Sequence, residues 1–400
     1  MSAPAAAGAV AASVIVLTMG HVFSNAVRTL PAMTADMLMR DLALTPDALA
    51  GLTGIFPAAF AVAMLPVGVA LDRYGVRRVA LWLLAIGSLG ALLAALAPGA
   101  AGMVLAQVVL GVGCSGMLMC PMTYAARAMS GPRFALWAGL IQAIGNTGML
   151  LSASPLALLV EWQGWRAGYL ACAGLAGLAA LAVWLVVRQL APERGQPSSL
   201  WADTRQVLAL AASPAMRPMM VIAFASFAAV FGVRGLWGGP WLMVVKGLSR
   251  VEAGHVLLGC TVALILGPAL AGAVDRALNR RVALLAAGHF AAAALLGLLL
   301  AGRTVPGAGL DAVLLFGFGI AISFQVLTFS LVRAEVPPEQ TGRALSAMNM
   351  AFFGGAAVMQ AVSGEAALWG GVGAALGSFA FALLFCTLGF LVLWGGRGRG

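Results

Sequence analysis

Apolar residues fall into long blocks separated by short polar breaks, near 9–31, 47–70, 77–97, 102–126, 134–159, 166–189, 217–244, 253–273, 281–301, 307–331, 343–366 and 369–394. Each block reaches about 20 residues, the length a helix needs to cross a ~30 Å hydrocarbon core. The pattern predicts an all-α membrane protein of twelve spanning helices. The longest polar stretch, Arg188 to Arg217, holds Pro192, Glu193, Gly195, Pro197, Ser198 and Ser199. Such composition marks a linker. It divides the chain into a first six-helix bundle (1–189), a linker (190–216) and a second six-helix bundle (217–400).

Composition agrees. Hydrophobic residues make up 62% and charged residues 9%, against roughly 45–50% and 25% in soluble chains. Thirty-six charges cannot cover a soluble surface of 400 residues. The 51 glycines suit membrane helices. Disorder, coiled coil and a secreted disulfide scaffold are excluded. The five cysteines, Cys114, Cys120, Cys172, Cys260 and Cys386, lie in apolar blocks with no disulfide or zinc spacing. Met1 to Ser13 carries no basic residue, so a signal-peptide start is not expected.

The net charge of +10 reads as topology rather than nucleic-acid binding. With both termini in the cytoplasm, sixteen of the 23 basic residues fall on that side and seven outside it. The positive-inside rule favours this orientation, in the cell (inner) membrane. The one lysine, Lys246, lies in Val245-Lys246-Gly247 and not in a phosphate-binding loop. No cofactor or resident metal is expected.

The two bundles repeat each other. Asp72-Arg73 followed by Arg77-Arg78-Val79-Ala80-Leu81 recurs as Asp275-Arg276 followed by Arg280-Arg281-Val282-Ala283-Leu284, 203 residues later. Val27-Arg28-x-Leu30 recurs as Val233-Arg234-x-Leu236, and Arg127 as Arg333, each 206 residues later. Three matches at nearly one offset indicate parallel six-helix repeats, as in secondary transporters.

With this repeat, the loop Gly68-Val69-Ala70-Leu71-Asp72-Arg73-Tyr74-Gly75-Val76-Arg77-Arg78 resembles the signature of the major facilitator superfamily between helices 2 and 3. The resemblance covers essentially the whole chain. The segment Pro338 to Arg343 is similar to the family's cytoplasmic loop before helix 11. Val76 departs from the family's usual basic residue, and Leu278 stands in the second copy where the first has Gly75.

The resemblance implies alternating access around a central site lined by helices 1, 4, 7 and 10. It also implies that Asp72 meets the start of helix 11 and pairs with Arg127 when the cytoplasmic side is shut. Asp275 and Arg333 would form the pseudo-symmetric pair, with Arg73, Gly75, Arg77 and Arg276 completing the two gating loops. The simpler reading of these loops is topological anchoring. Gln107 replaces an arginine of many proton-coupled members, and helix 5 has no Gly-Pro pair. Both weaken a drug–proton antiporter reading.

Charge inside the membrane singles out Arg28 and Arg234, since a mid-helix arginine costs about 2.5–3.5 kcal/mol on insertion scales. Thr18, His21, Asn25 and Arg28 step by 3, 4 and 3 along one helical face. Snorkelling of Arg28 to the outer interface is the alternative. Gln142 and Asn146, with Met149, share a face of helix 5. Gln325 in helix 10 and Asn349 in helix 11 complete the polar candidates for substrate contact or helix bridging. Trp237 and Trp241 read as an interfacial belt, with pocket lining as the alternative.

Glu161, Glu252, Asp311 and Glu365 fall at helix ends or outer loops, and no acid is expected at mid-helix. Arginines without carboxylates favour a small organic anion as the transported solute. A coupling proton or a counter-anion is the expected partner beside the lipid bilayer, with His21 the best proton carrier. The chain is expected to be a monomer. The alternatives are export of hydrophobic compounds, and copper import suggested by Met117, Met119, Cys120 and Met122. A membrane sensor or a membrane enzyme lacks the domain or the residue cluster that it would need.

Overall fold

The computed structural model describes the backbone of residues 3–129, 131–153, 155–189, 200–337 and 341–396. All elements among them are helical. We number the spanning helices in order: α1 Ala3–Asp41, α2 Pro46–Tyr74, α3 Val76–Ala95, α4 Ala100–Cys114 with Met119–Ala128, α5 Gly131–Ala153 with Pro155–Gln163, and α6 Trp165–Val186. The second set is α7 Arg217–Val245, α8 Arg250–Leu278, α9 Arg281–Ala301, α10 Gly309–Glu335, α11 341–369 and α12 372–395. A separate helix, Leu200–Ala211, occupies the expected linker.

Eleven helices among the described residues are long and apolar enough to cross a membrane. The longest, Ala344–Gly395, is 52 residues, about 78 Å at 1.5 Å per residue and too long for one crossing. Its backbone leaves the helical region at Gly370 and Gly371, the latter at φ 64°. Glycine reaches that region without a Cβ clash, so the segment divides into α11 and α12 and the twelve expected spans are recovered. α1 extends ten residues past the expected boundary, with Pro31 inside it.

The helix ends explain the repeated loop. Gly75 at φ 79° closes α2, its N–H bonding the Leu71 carbonyl at 3.1 Å. In the second copy Asn279 at φ 48° closes α8, its N–H bonding the Asp275 carbonyl at 2.8 Å. Asparagine tolerates left-handed backbone better than most residues. The second loop therefore ends its helix one residue later and through a different backbone, ψ 43° at Asn279 against 159° at Gly75, so no glycine is needed at Leu278. On the opposite side α8 opens with a capping box between Ser249 and Glu252.

Two sides of the bundle can be distinguished. The linker side carries the start of α7 and the turns after α2 and α8, and the far side carries the α7–α8 connection. At the far side the Trp165 indole donates to Asp41 at 3.0 Å, tying α1 to α6. Arg40, and then this indole, hold the Asp41 carboxyl below the usual carboxylate range.

Candidate functional site

α7 is the irregular helix of the fold. It passes through two π-helical turns, Val233–Trp237 and Trp241–Val245, around Gly238–Pro240. Single π turns widen a helix and occur often at functional sites. The first one carries Arg234, whose side chain is 1% exposed.

Arg234 is braced from both sets of helices. Its Nε donates to Thr261 Oγ1 of α8 at 2.7 Å, and its Nη2 to the Met149 carbonyl of α5 at 3.2 Å. Nη1 is buried without a hydrogen-bond partner. Arg28 comes from α1 and lies over the rings of Phe227 and Phe231 of α7, at 5.3 and 5.2 Å from their centroids. This contact across the sets turns Arg28 inward and replaces the snorkelling alternative. Both arginines line one small cavity of about 10 Å³ with Thr29, Met149, Val230, Phe231 and Gly235. That volume is room for about one water. No carboxylate among the described residues pairs with either guanidinium.

Aromatic rings surround this point. Phe60 of α2 stacks on Phe353 of α11 with centroids 3.7 Å apart. Phe227 meets Phe353 at 4.8 Å, and Phe231 meets Phe56 at 6.4 Å. A larger crevice of about 490 Å³, lined by Ala9, Arg77, Trp184 and Gln189, opens at the linker-side surface of the first six helices. It does not reach Arg28 or Arg234.

The other polar candidates form a different group. His21 Nε2 lies 3.2 Å from Gln142 Oε1, and Asn25 Nδ2 donates to the Gly145 carbonyl at 2.8 Å and reaches Asn146 Oδ1 at 3.4 Å. These bonds stitch α1 to α5. A Cβ at Gly145 would collide with the His21 ring, and one at Gly148 with the Val22 carbonyl. The glycines thus allow the close approach that the network needs. Gln325 lies in a 3-10 turn of α10 with a buried, unpartnered Oε1, and Asn349 is half-buried on α11. Neither is among the residues lining the arginine cavity.

The gating candidates are partly visible. The Asp72 side chain and residues 338–340 lie outside the described residues, as does the Arg343 side chain. Arg77 donates to the Trp184 carbonyl at 2.7 Å, tying α3 to α6. Arg73, Arg276 and Arg333 are exposed, and Arg127 is half-buried. Asp275 is bonded by Arg281 at 2.9 Å, so the expected Asp275–Arg333 pair is not formed.

The far side is bridged instead, through an arginine with no assigned role in the sequence. Arg250, at the start of α8, donates to Asp36 at 2.6 Å, to Glu161 at 2.9 Å and to the Met33 carbonyl. Beneath it Thr53 of α2 bonds Gln360 of α11. Trp237 and Trp241 are 3% and 1% exposed, so they form no interfacial belt. Their indoles donate to Ser363 and Asp311 at 2.9 and 2.8 Å. Asp311 lies at a helix end as expected, in the first turn of α10, but it is buried there, 3.1 Å from Lys246. Met117 and Cys120 are buried in core packing, and the described His, Cys, Asp and Glu residues form no group able to hold a metal.

Twelve apolar helices packed on one another make this a polytopic membrane protein. A sequence profile described as the Major Facilitator Superfamily matches residues 14–360, and the chain belongs to that family. It is a secondary transporter, not an enzyme. Among solved structures, a mutant of the nucleoside transporter NupG aligns at a TM-score of 0.77 with 13% identity, covering 96% of this chain and 98% of its own. A D-xylose-proton symporter gives 0.76 and 17%, covering 96% and 97%. The POT family transporter PepTSo gives 0.77 and 12%, covering 98% and 99%. At such identities the likeness is one of fold. A search of curated protein sequences finds no match.

Proposed function

We propose that this protein carries a small organic anion across the membrane by alternating access. The observation behind the reading is the Arg28–Arg234 pair. Two guanidiniums, from related positions in α1 and α7, face one small cavity, and no described carboxylate neutralises them. Burying such charges is costly unless something pairs with them. A bound carboxylate or phosphate supplies the missing partner through charge-assisted hydrogen bonds.

In this reading residues 1–189 and 217–400 rock as two bundles about the cavity, with 190–216 as the linker. Both termini are cytoplasmic in the inner membrane, so the linker side is the cytoplasmic one. The Arg250 bridge then closes the external side. Asp72 with Arg127, and Asp275 with Arg333, close the cytoplasmic side in the alternate state. Arg73, Gly75, Arg77 and Arg276 shape those two loops. His21, Asn25, Gln142 and Asn146 keep α1 and α5 moving together, while Gln325 and Asn349 offer polar contacts from the second bundle. The unit is a monomer, coupled to a proton or to a counter-anion.

A thermal-shift screen of the purified protein separates this reading from its rivals. Small carboxylates or phosphate should raise the melting temperature, and Arg234→Ala should abolish the rise. Stabilisation by lipophilic cations or copper alone would replace the anion reading.

A further inference from the structure

Resting on the anion reading, we infer that the ligand is an aromatic monocarboxylate, with a flat apolar body attached to one acidic group. The two arginines do not stand in equivalent surroundings. Arg234 has a fixed guanidinium, held by Thr261 and the Met149 carbonyl, with the whole of Nη1 left to take an acceptor. Arg28 lies instead on the faces of Phe227 and Phe231. A guanidinium on ring faces is held by cation–π attraction, which an aromatic ligand can replace by ring–ring contact. A ligand ring taking that place frees Arg28 to join Arg234 on the carboxylate. The ring contact is exchanged for another, and the charge gains a partner.

The walls fit such a body. Phe56, Phe60, Phe227, Phe231 and Phe353 come from helices of both sets and meet at this depth. Val230 and Gly235 add apolar surface. Beyond the arginines, polar groups at the cavity are few: the Thr29 hydroxyl donates to its own helix at 2.8 Å, and the Met149 carbonyl is already taken by Arg234. A sugar, nucleoside or peptide would leave hydroxyls or amides unpaired against rings, which is strongly unfavourable. An arylcarboxylate leaves none. At about 10 Å³ the cavity has room for no more than a water. Entry of a ring therefore requires Phe60 and Phe353 to part, which couples binding to separation of α2 from α11.

Isothermal titration of the purified full-length protein tests this, with benzoate, acetate, succinate and benzyl alcohol as probes. Benzoate should bind at least about tenfold tighter than acetate or succinate, since only it buries a ring. Benzyl alcohol, which has the ring without the charge, should not bind measurably. Phe231→Leu, which keeps an apolar side chain at the site, should bring the benzoate-to-acetate ratio towards one. Equal binding of benzoate and acetate, or an unchanged ratio in a folded Phe231→Leu protein, overturns the aromatic assignment and leaves the anion reading standing. Binding of benzyl alcohol but no anion, or of none of the four probes, overturns both.

Discussion

Removing Arg250 should open the far side of the protein. Its guanidinium is 10% exposed, while its partners Asp36 and Glu161 are 55% and 47% exposed. Water screens pairs of that kind, and each contributes about 0.2–1 kcal/mol. The donation to the Met33 carbonyl has a charged donor and adds roughly 1.5–3 kcal/mol. Some of this is recovered as hydration once the side opens, leaving about 2 kcal/mol of bias in favour of the bridged state. Because 1.36 kcal/mol is a factor of ten, Arg250→Ala should shift the two-state equilibrium by about 30-fold. Hydrogen–deuterium exchange reads the shift directly. Exchange should rise at the far-side ends of α1 and α5 and in the α7–α8 connection, and fall around the turns after α2 and α8. Arg250→Lys should give an intermediate pattern, since an ammonium cannot reproduce the fork. A folded Arg250→Ala protein with wild-type exchange on both sides refutes the assignment of this bridge as the closing contact.

Three further outcomes follow from packing and charge. Gly113→Ala places a methyl group against the backbone of Gly87, so it should destabilise by about 1–3 kcal/mol, whereas Gly177→Ala has open space and should leave thermal unfolding within about 0.5 kcal/mol. Lys246→Met leaves Asp311 buried without its 3.1 Å partner and should cost about 3–5 kcal/mol; Lys246→Met with Asp311→Asn should recover much of that loss in the same unfolding assay. Gly148→Leu should separate α1 from α5, break the Asn25–Gly145 bond and lower both stability and transport.

The spans and the repeated turns after α2 and α8 were legible in the sequence because membrane helices need long apolar runs and because Asp72-Arg73 and Asp275-Arg276 recur at a fixed offset. Arg28 and Arg234 were legible for the same reason: charge stands out in an apolar block. The division of labour among the polar residues was not. The 3–4–3 stripe of Thr18, His21, Asn25 and Arg28 marks one helix face, but a helical period does not say which neighbour each residue meets. The structure turns His21 and Asn25 to α5 and Arg28 to α7. The phenylalanines at one-turn spacing, Phe56 with Phe60 and Phe227 with Phe231, carried a weak signal, since aromatic residues in membrane helices more often face lipid or core. Trp237 and Trp241 were misplaced because an indole satisfied by Ser363 or Asp311 cannot be told by sequence from one satisfied at the membrane interface. Arg250 gave no signal at all. Its three acceptors, Met33, Asp36 and Glu161, come from α1 and α5, far from it in sequence.

The central claim is that Arg28 and Arg234 together carry an anion through the bundle. The most direct measurement is uptake of radiolabelled benzoate and acetate into proteoliposomes containing wild type, Arg28→Ala or Arg234→Ala. The account predicts saturable uptake of at least one of the two anions by wild type, and loss of about two orders of magnitude or more in each variant, as expected when a charged hydrogen-bonding partner is removed from a desolvated site. Wild-type uptake by both folded variants, or no uptake of either anion by wild type, would contradict it.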